Sequence, residues 1–159
     1  MIELRSKWDR MSELLQRIMP GVPKAAAGLG LAGLIPFVVA ALAHLGHGET
    51  TVIRSLTLGY GVAILSFMGG CRWGLAAAGL GQGASLAPLA ISVLPCLYAW
   101  IAAELPGAFA YFALAAGFVG LLFADLKLTA QAGAPAWWPA LRWPLSLGAA
   151  GSLVLAGVA

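Results

Sequence analysis

Residues 64–74 read ILSFMGGCRWG, and the fold turns on whether that stretch lies in water or in lipid. It is apolar and glycine-rich, yet it carries Arg72. In a soluble helix an arginine marks a solvated face and needs no comment. In a membrane helix it is costly, about 2.5–3.5 kcal/mol at the bilayer centre on insertion scales. Composition decides between the two. Hydrophobic residues make up 61% of the chain and charged residues 9%, against about 25% charged in a typical soluble domain. Too little polar surface remains to cover a 159-residue globule, so lipid is the solvent for most of this chain.

Working outward from Arg72, a bilayer core about 30 Å thick asks for about 20 mostly apolar residues per helix. Five windows satisfy this, at about 24–45, 55–80, 86–105, 107–126 and 141–159. The expected fold is therefore an all-α polytopic bundle of five transmembrane helices, residues 24–159. The connection between the fourth and fifth spans contains APAWWPALRW, where Trp137, Trp138 and Trp143 fit an interfacial aromatic belt.

Charge placement sets the expected orientation. Arg5, Lys7, Arg10, Arg17 and Lys24 precede the first span, and Lys127 and Arg142 fall at the same side of the alternation. Arg54 falls at the other. By the positive-inside rule the N-terminus is cytoplasmic and the C-terminus periplasmic, in a bacterial inner membrane. A nucleic-acid partner would want a basic face on a polar domain, and this sequence offers none.

Before the first span, Leu4, Trp8, Met11, Leu15 and Ile18 recur at helical spacing, with charged residues over much of the remaining surface. The PGVP turn, Pro20 to Pro23, stops that helix. Residues 1–23 are thus expected to form an amphipathic helix and turn, lying on the membrane face or docking on a partner.

The second span has two narrow faces of small residues. One holds Gly59, Ala63, Ser66, Gly70, Gly74 and Ala77, and includes a Gly-x-x-x-Gly pair. The other holds Leu65, Gly69, Arg72, Ala76 and Gly79. Small faces let membrane helices approach closely, so Ser66, Gly69, Gly70, Trp73 and Gly74 are read as a helix-packing motif at the centre of the bundle. Asp125 on the fourth span falls at the same level as Arg72. The two are expected either to form a structural ion pair or to share a site for an anionic ligand.

Pro36 and Pro95 fall near the middle of the first and third spans and are expected to kink them; Ser92 is a candidate partner for the carbonyl that Pro95 frees. His44, His47 and Glu49 are conceivable metal ligands by type, but their stretch, HLGHGETT, reads as a loop. No metal site, no cofactor and no catalytic group is expected, since nucleophile-elbow and phosphate-loop patterns are missing from the sequence. Cys71 and Cys96 lack metal or haem spacing and read as small apolar residues.

GLIPF on the first span, the pattern Y-x-x-x-I-L-S-F-x-G-G-x-x-W-G from Tyr60 to Gly74, SVLP at Ser92 to Pro95 and the Pro-x-Trp-Trp before the last span resemble the transmembrane protein 69-like family. This is a domain-of-unknown-function group of small polytopic inner-membrane proteins of proteobacteria and mitochondria. The resemblance implies a respiring inner membrane and supplies no activity. The expected function is a non-catalytic accessory, assembly or stabilising component of a larger membrane complex, with other integral membrane proteins as partners. The alternative is a small carrier or binding protein for a lipidic or anionic ligand.

Overall fold

A computed structural model of the chain describes residues 16–81 and 83–159. Among these residues six helices follow one another: α1 (Lys24–Ala32), α2 (Ile35–His47), α3 (Thr51–Ala77), α4 (Leu86–Ala103), α5 (Phe109–Ala130) and α6 (Trp138–Val158). The amphipathic segment expected at the N-terminus lies largely outside the described residues. Only its end is seen, where Met19 and Val22 are buried against Ala27 and Leu141.

Helices α1 and α2 together make one 24-residue span, so among the described residues five segments are long and apolar enough to cross a bilayer. The chain is an all-α polytopic membrane protein. Its short connections make successive spans antiparallel. Residues Lys24, Ala77, Leu86, Ala130 and Trp138 therefore mark one end of the bundle, hereafter the basic end. His47, Thr51, Ala103, Phe109 and Val158 mark the opposite end.

Local signals place the boundaries. Gly48 closes α2 with φ at +69°, a left-handed conformation natural to glycine. Thr50 then caps α3, its Oγ1 accepting from the Ile53 amide at 3.2 Å. The spans start and stop a few residues from the hydropathy windows. Most consequential, α5 continues to Ala130, so Lys127 is helical, and α6 begins at Trp138, so Arg142 lies in its second turn.

The first span is broken rather than bent at Pro36. The break falls at Gly33 and Leu34, and Pro36 sits in the first turn of α2, where its missing N–H has no intrahelical partner to lose. The Tyr60 hydroxyl of α3 donates to the Gly33 carbonyl at 2.9 Å and satisfies the interrupted backbone. Pro95 does lie inside α4. Ser92 serves a different carbonyl from the one expected, donating to Leu89 at 2.6 Å.

Helix α5, packed against α3, α4 and α6, holds the middle of the bundle with Tyr111, Leu114, Phe118 and Leu122 buried. Helix α3 likewise packs against three elements, α2, α4 and α5. The packing motif of α3 also divides. A Cβ on Gly69 would stand 2.6 Å from the Ser92 carbonyl oxygen, so this glycine is what admits α4. Gly70 and Gly74 would meet nothing within 4 Å; they and Trp73 are exposed on the outer face, and Ser66 is half-buried.

Candidate functional site

Near the basic end the late part of α3, the late part of α5 and the early part of α6 fall at one level, because the three spans alternate in direction. Each contributes one charged side chain. Asp125 of α5 is completely buried. Its Oδ1 accepts from Arg72 Nη1 at 2.6 Å and its Oδ2 from Arg142 Nε at 2.7 Å. The Thr129 hydroxyl donates to the Asp125 backbone carbonyl at 3.0 Å, one turn on.

Two guanidiniums thus share one carboxylate, and the cluster carries one excess positive charge. Charge in a low-dielectric interior is costly unless it is paired and hydrogen-bonded. Among the described residues Asp125 is fully compensated; the two arginines together are not. Arg142, 3% exposed, leaves Nη2 without a hydrogen-bond partner among the described residues, as do Trp138 Nε1 and Ser146 Oγ. These three residues recur at i, i+4 and i+8, one face of α6.

Arg72 lines two grooves that meet at its side chain, together with Ile91 and Ala124. One, about 310 Å³, runs to the basic end past Lys127 and Gln131. The other, about 330 Å³, runs toward the bilayer middle between α4 and α5, past Pro95, Gly117 and Gly120. On the far side of the cluster Arg142 lines a third, apolar cavity of about 350 Å³ with Trp138, Phe37 and Cys71. The arrangement can hold an amphipathic anion: a positively charged side chain, Arg72, shared by a polar groove and a mostly apolar one.

The structure brings Arg72 and Asp125 together. Sequence reading missed Arg142, which it counted as an interfacial cation. A signal was present: α5 carries one acid at this level, and two arginines on neighbouring spans fall opposite it. Among the described residues no group of three or more His, Cys, Asp or Glu gathers as a metal site would require. His44 is not in a loop. It lies in the last turn of α2, 1% exposed, with Nε2 2.9 Å from the Tyr111 hydroxyl. That hydroxyl contacts Glu49 Oε2 at 2.6 Å. Arg54 completes the opposite end, bonding Glu49 at 3.3 Å and the carbonyls of Leu105 and Gly107 at 2.9 Å each.

Comparison with known proteins agrees with the membrane architecture. Residues 22–158 match the family model described as Protein of unknown function (DUF3429). Transmembrane protein 69 of Xenopus tropicalis is 40% identical over 91 residues, which is 54% of this chain and 35% of that protein. The chain therefore spans about a third of that relative's length. No solved structure matches. With the family model covering all six helices, the chain belongs to the DUF3429, transmembrane protein 69-like family.

Proposed function

We propose that this protein is a non-catalytic, membrane-embedded binding protein for an amphipathic anion, with the head group held by Arg72 and Lys127 and the tail lying in the groove between α4 and α5. The observation that carries this reading is the excess positive charge of the Arg72–Asp125–Arg142 cluster, which an anion in the adjoining groove would neutralise. The groove's continuation past Pro95, Gly117 and Gly120 favours an anion with an apolar tail over a free one. The basic end lies in the cytoplasmic leaflet of a bacterial inner membrane, following the excess of Lys and Arg there, with the C-terminus periplasmic.

A ligand that binds only the folded chain raises its melting temperature saturably. Phosphatidylglycerol added to the detergent-solubilised chain is expected to do so. Phosphatidylcholine and inorganic phosphate are expected to leave the melting temperature unchanged. Arg72→Gln should abolish the shift and Lys127→Ala weaken it. Equal shifts with both lipids would overturn the reading.

An accessory role in a larger membrane complex is favoured by a separate observation. Gly59, Gly70 and Gly74 form an outward stripe that no part of the described chain fills, the kind of surface on which another transmembrane helix packs. Under this reading a partner identified by its peptides co-purifies stoichiometrically with the wild type and is lost from Gly70→Leu, whose own fold is undisturbed. Retention of that partner in Gly70→Leu would remove the stripe from the interface.

A further inference from the structure

At the opposite end of the bundle from the charged cluster, three contacts lie in series. His44 Nδ1 is 2.8 Å from the Ala40 carbonyl, His44 Nε2 is 2.9 Å from the Tyr111 hydroxyl, and that hydroxyl is 2.6 Å from Glu49 Oε2. The protons these contacts need can be counted. A carbonyl only accepts, so Nδ1 carries a proton. The phenol has a single proton to give. If Tyr111 donates to Glu49, then Nε2 must itself be protonated, or two lone pairs would face each other at hydrogen-bond distance. If Tyr111 donates to Nε2, the same argument puts a proton on Glu49. Either arrangement holds one proton beyond those of a neutral imidazole, a phenol and a carboxylate.

We infer that His44, Tyr111 and Glu49 form a proton-binding site, loaded from the aqueous surface through Glu49 and storing one excess proton inside the bundle. Exposure sets the direction of loading: the Glu49 side chain is 44% exposed, whereas His44 is 1% exposed. A proton arriving on the Glu49 carboxylate passes to the Tyr111 oxygen as the phenol proton passes to His44 Nε2. Glu49 ends as a carboxylate, Tyr111 as a phenol and His44 as an imidazolium, so the transfer balances.

The surroundings favour the proton at the His44 end. The Tyr111 hydrogen bond and, after it, the neighbouring Arg54 guanidinium hold the Glu49 carboxyl below its usual range, outweighing partial desolvation. His44 sits in the last turn of α2, its Nε2 aimed at the Tyr111 hydroxyl. Among the described residues the other groups around this end are few, and include Glu104, next to Leu105, whose carbonyl accepts from Arg54. Helix α3 brings Arg54, whose guanidinium lies 5.4 Å from the Tyr111 ring centroid, and Tyr60, whose hydroxyl is committed to Gly33. Helix α2 itself adds His47. Helix α6 has one titratable side chain, Arg142, at the basic end.

The test counts the proton. The full chain, labelled with ¹⁵N-histidine and reconstituted in lipid nanodiscs at about pH 7, gives two imidazole signal sets, assigned with His47→Gln. Infrared difference spectra against Glu49→Gln report the Glu49 carboxyl. The expected result is one excess proton per chain, as a doubly protonated His44 or a protonated Glu49. Glu49→Gln, a change in an exposed connection, and Tyr111→Phe should each lose that proton and leave His44 protonated on Nδ1 alone. A singly protonated His44 beside an ionised Glu49 in the wild type, or an excess proton that survives in both variants, would overturn the inference.

Discussion

Arg142 shows most clearly what a sequence conceals at the scale of a residue. Counted along the chain it is one more basic residue beside an interface; in space it holds the second oxygen of Asp125. Its role depends on where α6 begins, which hydropathy places at about residue 141 and the structure at Trp138. The consequence is testable. Removing one partner from a buried ion pair typically costs about 3–5 kcal/mol, because the remaining charge is left uncompensated. Asp125→Asn strands two guanidiniums and should show a loss of that size in thermal unfolding. Arg142→Met leaves the neutral Arg72–Asp125 pair intact and removes a nitrogen without a partner among the described residues, so its loss should be clearly smaller. Equal losses would mean that Arg142 carries no excess charge. The exchange Arg72→Asp with Asp125→Arg should not restore stability, since the introduced arginine would face Arg142.

Among the elements, α3 separates what periodicity reveals from what it hides. Helical spacing showed two faces of small residues, but spacing alone does not say which face the bundle uses. The face with Leu65, Gly69 and Ala76 is buried, and the face with Gly70 and Gly74 looks outward. Adjacent glycines should therefore respond oppositely. Gly69→Ala would press a methyl against the Ser92 carbonyl oxygen, and forced overpacking costs about 1–3 kcal/mol. Gly70→Ala meets open space and should change stability by less than about 0.5 kcal/mol. Melting temperatures of the two variants in one detergent decide this, and a similar cost for both would contradict the packing described for α3 and α4. The first span teaches a related lesson. Pro36 announced an irregularity, but the break lies just before it, at Gly33, where a distant hydroxyl from Tyr60 can reach the carbonyl. That partner is 27 residues away in sequence, beyond any local signal.

Over the whole molecule, hydropathy made the five spans and their alternation legible, because lipid imposes a nearly fixed length on every helix. What stayed hidden were the third member of the basic-end cluster, Arg142 beside the expected Arg72–Asp125 pair, and the joining of His44 and Glu49 to Tyr111, since each cluster is assembled from residues on three or more elements. The two clusters differ in their titratable groups and should differ in pH response. Glu49 has its pKa lowered in the folded chain from an ordinary 4.5. Its contribution to stability is thus present above the unfolded value and lost as pH falls through the lower, folded one. The stability advantage of the wild type over Glu49→Gln should hold near neutrality and fall away on acidification below the ordinary carboxyl value of 4.5, as followed by thermal unfolding; an advantage that grows on acidification would contradict the assignment. The basic-end cluster carries the functional account, and native mass spectrometry of the full chain tests it most directly. After extraction from a mixed bilayer of phosphatidylglycerol and phosphatidylcholine, the wild type should retain one anionic lipid per chain and Arg72→Gln none. Retention of the two lipids in their bilayer proportions, unchanged by Arg72→Gln, would contradict the account.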